Sequence, residues 1–443
     1  MANFQNALIA IFSVTVVLGI MIFVHEWGHF IAAKLAGVRV EIFSLGFGMR
    51  LFGTKRGDTD YRISALPFGG YVRMAGDNPV EERTGAPDEF LSKPRWVRVL
   101  IAVAGPAMNI LLAFAIFWAI FWIVGVPTPT YLRQPAEVVA VPQSAAAVSG
   151  ILPGDRIVEV NGVKTPTWEK VLAEVSKSKP GELVSITTLR NGAQIPFKAK
   201  APAKADVFAL VGYPAMAPVV DEVAIGFPAE KAGLKPGDVV VSMNGKPVTT
   251  WPQLVDGVHQ SGGQPIQFVV RRNAVDIPLN ITPMQGMDLE GGSVWQIGVS
   301  PRTKDDYERQ GFTVSAKDAG VATLSGMRQI MDVLAGLFTG KVSIRELQGV
   351  VGIARESGRA AKGGPIRLIE LMAIISLNLG LLNLLPIPIL DGGHVLLLAI
   401  EGLLRRDLSI AVKERFVQVG LVFLLGIFAF VMYSDILKLI QHH

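Results

Sequence analysis

The segment His25-Glu26-Trp27-Gly28-His29 closes an apolar run that extends from Leu8 to Val24. Two imidazoles and a carboxylate are costly in hydrocarbon, so ionisable side chains in such a run point to function. Their spacing says which function. On a helix, residues i and i+4 share one face a turn apart, so His25 and His29 can aim ring nitrogens at a single metal ion. Glu26 stands beside them, placed to take a proton from the attacking water. The implied chemistry is metal-assisted hydrolysis in the plane of a bilayer.

A hydrolytic zinc needs a third protein ligand and an open position for water. The chain has no cysteine, which excludes disulfides, thiolate ligands and a cysteine nucleophile together. Of its six histidines, His259 falls in a region read below as lying outside the membrane, and His442 and His443 end the sequence. The remaining candidate stretch is Asn383-Leu-Leu-Pro-Ile-Pro-Ile-Leu-Asp-Gly-Gly-His394, which sets Asp391 and His394 among apolar residues. Pro386 and Pro388 cannot continue a regular helix. Irregular backbone at membrane depth is tolerated only where it lines an enclosed or water-filled cavity. A broken helix is therefore expected, with Asp391 capping the part that follows.

Depth supplies a separate argument. The run from Leu8 to Val24 rises about 26 Å, which puts His25 near the cytoplasmic side of a core about 30 Å thick. Asp391 stands 23 residues past Leu368 in a stretch that travels the same way, so it reaches a similar layer. His25, His29 and Asp391 are the expected ligands, with His394 as the alternative third one. Asn383 and Asn378 are candidates to hold a substrate strand or a developing oxyanion through an amide. Hydrogen bonding between helices is the other role open to them.

Half of the 443 residues are hydrophobic and the mean hydropathy is positive, which suits a membrane protein with domains outside the bilayer. Four stretches qualify as spans: Leu8 to Ala33, Val99 to Val124, Leu368 to Leu390 with the segment beyond it, and Val417 to Met432. Eleven Lys and Arg lie from Lys34 to Arg98, and Arg405, Arg406, Lys413 and Arg415 precede the last span. Both regions should then face the cytoplasm, with both termini and the long central region outside. The formal charge of +5 comes with no basic, aromatic-interleaved patch, so nucleic acid is not an expected partner. The bilayer is.

The central region contains a repeat. Gly150-Ile-Leu-Pro-Gly-Asp-Arg-Ile-Val-Glu-Val-Asn-Gly162 matches Gly233-Leu-Lys-Pro-Gly-Asp-Val-Val-Val-Ser-Met-Asn-Gly245 at an offset of 83, which still holds at Trp168 and Trp251. That period suits two tandem small domains rather than a solenoid. The shared pattern resembles PDZ domains of bacterial envelope proteases. That resemblance implies β-rich domains able to capture an extended peptide or chain terminus by strand addition. Leu210-Val-Gly-Tyr213 is the candidate peptide-binding loop of the second copy. Beyond the repeats, Met327, Ile330, Met331, Val333, Leu334 and Leu337 recur at helical spacing within Gly320 to Gly364, as expected of an amphipathic helix at the outer surface. Gly46-Phe-Gly48 and Leu66-Pro-Phe-Gly-Gly-Tyr71 read as short strands or hairpins near the cytoplasmic membrane face, where an extended edge could pair with an unwound substrate. Gly105-Pro106-Ala-Met-Asn109 reads as a small-residue packing interface with a kink.

The expected fold class is thus a polytopic α-helical membrane protein with four transmembrane helices and two PDZ-like domains inserted between the second and third. Its segments are 1–34 (first helix), 35–98 (cytoplasmic hairpins), 99–126 (second helix), 127–205 and 206–285 (the two repeats), 286–365 (outer linker), 366–404 (broken third helix) and 405–443 (cytoplasmic turn and fourth helix).

H-E-x-x-H in the first span, G-P-x-x-N in the second, tandem PDZ-like repeats and N-x-x-P-x-P-x-L-D-G-G-H in the third occur in this order over almost the whole chain. Together they resemble the site-2 protease family, in its bacterial branch of regulators of sigma-E. The family implies a zinc intramembrane endopeptidase of the bacterial inner membrane. Its substrates are single-span proteins, typically an anti-sigma factor already trimmed outside during an envelope stress response. It also implies His25, His29 and Asp391 as Zn2+ ligands, Glu26 as catalytic acid and base, Asn383 in contact with substrate, and the repeats as a periplasmic size filter. Gln348-Gly-Val-Val-Gly352 departs from the Gly-Pro-Ile common among relatives. The competing readings are a membrane-anchored zinc protease for soluble or misfolded chains and a PDZ scaffold whose metal site has decayed.

Overall fold

A computed structural model of the chain describes residues 2–77, 84–141, 150–179, 181–201, 207–224, 226–287, 293–302, 305–339 and 349–440. In chain order, helix α1 (Ala2–Leu35) leads into strands β1 (Val40–Arg56) and β2 (Thr59–Met74) and then helix α2 (Arg95–Ile123). A strand-rich region follows, carrying helices α3 (Trp168–Val175) and α4 (Trp251–His259). The chain closes with α5 (Phe312–Phe338), α6 (Val350–Lys362), α7 (Pro365–Asn383), α8 (Asp391–Leu404) and α9 (Ile410–Ile440). It divides into two compact units, Val126–Glu308 and the combination of Met1–Gly125 with Arg309–His443.

Among the described residues, four helical segments are long and apolar enough to cross a membrane: Leu8–Leu35, Arg95–Ile123, Pro365–Asn383 and Ile410–Tyr433. Their ends follow local rules. Gly37 takes φ +65 just past α1, where the Val38 N–H reaches back to Ala33 O at 2.8 Å, a left-handed stop that glycine adopts without strain. Pro94 precedes α2, and Pro365 starts α7, where a missing N–H costs nothing.

Small residues bring these helices together. A Cβ on Gly28 of α1 would sit 2.4 Å from Ala104 O of α2, and one on Gly380 of α7 would sit 2.8 Å from Pro106 O. Helix α2 runs on through Pro106 as one helix from Arg95 to Ile123. Ser315, Ala319 and Thr323 form a buried stripe on α5, which packs on α2, and Met327 and Ile330 join the cluster of Ala113, Ile116, Ala373 and Leu377. The single amphipathic helix expected within 320–364 is thus two helices. Residues 340–348, including Gln348 of the departing motif, lie outside the described residues. Met331 and Val333 are exposed, because the packed face is set by contact with α2 and α7 rather than by every apolar residue.

β1 and β2 pair antiparallel and bend back on themselves near 46–50 and 64–69, where short strands and hairpins are expected from the sequence. Residues 42–45 pair with 60–63 on one edge and with 70–73 on the other, and 60–63 pair again with 52–55. Glycines at 46, 48 and 69 take the positive φ values that these bends require.

In the other unit, each repeat builds a four-stranded antiparallel sheet. The first orders Val163–Lys164, Arg156–Val160, Leu183–Arg190 and Ala193–Lys200; the second orders Lys246–Pro247, Val239–Met243, Ile266–Arg272 and Val275–Ile281. The shared motif explains itself in hydrogen bonds. Asp155 accepts Arg190 Nε at 2.6 Å while Arg190 also donates to Gly150 O, and Asp238 accepts Arg272 Nε at 2.7 Å while Arg272 donates to Gly233 O. Asn161 and Asn244 adopt left-handed backbone, and their side-chain oxygens accept Ser185 N–H and Gln267 N–H across the sheet.

The first core reaches past the boundary expected at 205/206 to Leu210 and Val211, and the second reaches past 285 to Ile297. Leu210–Tyr213 therefore belongs to the first repeat, not to a ligand loop of the second. Tyr213 exchanges backbone hydrogen bonds with Val139 and Ala140, and its hydroxyl donates to Asp256 on α4.

Candidate metal centre

Helix α1 presents His25 and His29 on one buried face, 8% and 9% exposed. Asp391 reaches them from the far end of the sequence. After Asn383 the chain leaves α7, turns through 384–390 and restarts as α8. Gly392 and Gly393 make the turn possible, since a Cβ on either would sit 2.2–2.3 Å from the carbonyls of Leu385 and Ile387. Ile389 holds φ +82, costly for a β-branched residue, between Pro388, which packs on Gly420 of α9, and the new helix. Asp391 is the first residue of α8, not its cap. Leu390 occupies the cap position and no side chain caps the end. The carboxylate faces the two histidines instead, with the positive end of the helix dipole behind it.

The three side chains make a triangle, with both oxygens of Asp391 turned to the histidines. His25 Nε2 lies 3.1 Å from Asp391 Oδ2, His29 Nε2 lies 3.5 Å from Asp391 Oδ1, and the two Nε2 atoms are 3.3 Å apart. Tetrahedral zinc with nitrogen and oxygen ligands sets neighbouring ligand atoms about 3.4 Å apart. His29 Nδ1 contacts the Ile101 carbonyl at 2.8 Å, which can only accept, so Nδ1 carries the proton and a neutral ring turns its Nε2 lone pair inward. Lone pairs converging with a carboxylate repel one another unless a cation sits among them. The donor set and the edge lengths both fit Zn2+.

Among the described residues, these three are the group whose ligand atoms cluster for a metal. His394, one turn further along α8, is exposed and lies outside this group. His259 ends α4 in the repeat unit. Residues 442 and 443 are outside the described residues. Glu26 is half-buried beside the triangle. A Cβ on Gly70 would sit 3.0 Å from its Cγ, so the 70–73 stretch of β2 runs directly along the Glu26 side chain.

Asn383 and Asn378 part company on α7. Asn383 lies near the helical direction of Ser376 and Gly380, which face α2 at Pro106 and Asn109. Asn378, two residues past Ser376, falls roughly opposite that face by helical phase.

Two participants escaped the sequence reading. Gly105 is where the His29 ring lies: a Cβ there would be 2.3 Å from Nε2. Asn109, fully buried, sets its amide nitrogen 3.2 Å from His25 Nδ1. Both belong to the G-P-x-x-N stretch that spacing alone assigned to packing. A buried asparagine in a span was the available signal.

A helix-borne His-Glu-x-x-His motif completed by a distant aspartate, on a scaffold of apolar helices, defines a zinc metalloprotease. The sequence comparisons agree. The model of Peptidase family M50 matches residues 13–427. The Regulator of sigma E protease of Salmonella typhi is 33% identical over 447 residues, covering 96% of this chain and 97% of that protein. Protease RseP of Yersinia pestis is 34% identical over the same length and coverage. Regulator of sigma-E protease RseP of Escherichia coli K12 is 32% identical over 450 residues, covering 96% and 98%. Among solved structures, the PDZ domain of an SdrC-like protein from Listeria monocytogenes matches 21% of this chain and 92% of its own, at 19% identity and a TM-score of 0.18. The chain belongs to Peptidase family M50, the site-2 protease family, and is a zinc metalloendopeptidase.

Proposed function

We propose that this protein cleaves single-span membrane proteins within the bilayer, with His25, His29 and Asp391 as zinc ligands and Glu26 as general base and acid. The observation that carries the reading is the convergence of two imidazole nitrogens 3.3 Å apart on the two oxygens of Asp391 at 3.1 and 3.5 Å, with a half-buried glutamate beside them. Zinc, when bound there, polarises the scissile carbonyl and makes an attacking water more acidic. Glu26 takes a proton from that water as its oxygen bonds to the carbonyl carbon, then delivers it to the amide nitrogen as the C–N bond breaks. A transmembrane substrate must unwind to expose its carbonyl, and the 70–73 stretch alongside Glu26 is suited to hold the unwound strand. Asn383 is suited to steady that strand or the developing oxyanion.

The membrane assignment rests on the four apolar helices and the distribution of Lys and Arg. On this reading the site lies toward the cytoplasmic side of a bacterial inner membrane and both repeats lie in the periplasm. The relatives are named regulators of sigma-E protease, and a pre-trimmed anti-sigma factor is the substrate that we carry over from the family resemblance. The two repeats, inserted between the second and third spans, then act as a filter that rejects untrimmed substrates.

The test is to incubate purified protein, and its Glu26→Gln variant, with a single-span substrate carrying a short outer segment. Cleavage by the wild type, lost with chelator and lost in Glu26→Gln, is the expected result. Cleavage that persists in either case would overturn the reading. Deleting residues 137–284 should admit an untrimmed substrate, and continued rejection would remove the filter from it.

A further inference from the structure

The hydrogen bonds of the two histidine ligands differ in a way that assigns work to Asn109. His29 presses its Nδ1 against a backbone carbonyl, Ile101 O, which leaves one choice for the ring proton. His25 presses its Nδ1 against a side-chain amide, Asn109, at 3.2 Å. An amide has a donor end and an acceptor end, and they exchange by half a turn about its last bond. With the nitrogen toward His25, Nδ1 must accept, the ring proton moves to Nε2 and points at Asp391 Oδ2, 3.1 Å away. In that arrangement Asn109 Oδ1 is buried with no partner, and an orphaned buried oxygen is costly. With the oxygen toward His25, Nδ1–H donates to it, the amide NH2 takes the oxygen's former place, and the Nε2 lone pair faces the triangle.

We propose that Asn109 is a positioning residue that sets the tautomer of His25, its Oδ1 accepting Nδ1–H so that Nε2 is free for the metal. The inference rests on the reading of His25, His29 and Asp391 as zinc ligands. The asparagine is well held for this. Its own carbonyl accepts Ser376 Oγ–H at 2.9 Å, and Gly380 leaves room for its Cβ, so α7 clamps it against α1. Because α2 and α7 both grip the residue that orients His25, it ties the broken third span to the first ligand. Partners that orient a ligating imidazole are worth about ten- to a hundredfold in metal affinity.

The experiment measures zinc affinity of the purified full chain by competition with a chromophoric chelator, with no substrate present. Asn109→Leu keeps the volume and removes the acceptor. Asn109→Asp keeps an acceptor oxygen at the same place. Leu is expected to weaken zinc binding about ten- to a hundredfold and to change the visible spectrum of the cobalt(II)-loaded protein. Asp is expected to bind zinc at least as tightly as wild type, with the wild-type cobalt spectrum. Thermal unfolding checks that both variants fold, and Asn109→Ala replaces Leu if Leu does not. Equal affinity in Leu and wild type, or equal loss in Leu and Asp, would overturn the proposal. Failure of the ligand reading itself looks different, since the wild type would then bind no zinc.

Discussion

The two units of the molecule each bury carboxylates against nitrogen, and the partners decide what the carboxylate does. In the repeats, Asp155 and Asp238 meet guanidinium groups in two-point contacts of 2.6–2.7 Å. Arginine is charged at every relevant pH and offers only donors, so it neutralises the carboxylate and the pair needs no metal ion to complete it. Asp391 meets two imidazoles at 3.1 and 3.5 Å. Neutral imidazoles offer lone pairs, so that cluster is incomplete without a cation. One arrangement is a structural lock and the other a cradle, though each starts from an aspartate, fully buried in the repeats and half-buried at Asp391.

The sharpest way to break this contrast is to remove Asp391. Asp391→Ala should lose stoichiometric zinc and all cleavage, measured by metal analysis and substrate turnover, and undiminished zinc would move the third ligand elsewhere. Glu26→Gln should keep its zinc yet lose about 10²–10⁴-fold in rate. Gly105→Ala comes next. Its new methyl would overlap the His29 ring, so zinc affinity should fall by about tenfold while the fold persists. Full wild-type affinity would mean that α2 can withdraw from α1 at no cost.

On the other side of the comparison, Asp238→Ala leaves Arg272 and the Gly233 turn without their anchor. It should destabilise the second repeat by about 3 kcal/mol, read as faster proteolysis within 126–308. Zinc content should not change. The smallest effect is the acid response. Burial works to raise the Asp155 and Asp238 carboxyls, but hydrogen bonds from Arg190 or Arg272 and from the Leu152 or Lys235 backbone outweigh it and hold both below the ordinary 3.8. Their contribution is therefore complete above the unfolded carboxyl range and is lost as pH falls through the lowered folded values. An acid titration followed by proteolysis of the repeats should show a transition below pH 4, which Asp155→Asn combined with Asp238→Asn should erase.

Much of the site was readable in advance, for identifiable reasons. His25 and His29 are four residues apart on one helix, and helical periodicity is a local property that spacing reports directly. Asp391 could be chosen because it lies between prolines and glycines that break a span at matching depth. The repeat was readable because Pro-Gly-Asp and Asn-Gly describe turns, which are also local. The capping role expected for Asp391 was not met, since a carboxylate that two histidines engage is not free to cap its own helix. The loop Leu210–Tyr213 went to the wrong repeat, because both copies end in similar strands and only packing says which core receives them.

The sequence by itself determined the helix that carries His25 and His29, the four apolar segments, the duplicated motif and the family. These follow from periodicity, length and turn chemistry, all of which act over a few residues. Tertiary structure alone decided that Gly105 makes room for His29, that Asn109 meets His25 across 84 positions, and that β2 lies along Glu26. Those contacts join separate elements, and they depend on where whole helices and strands come to rest against one another.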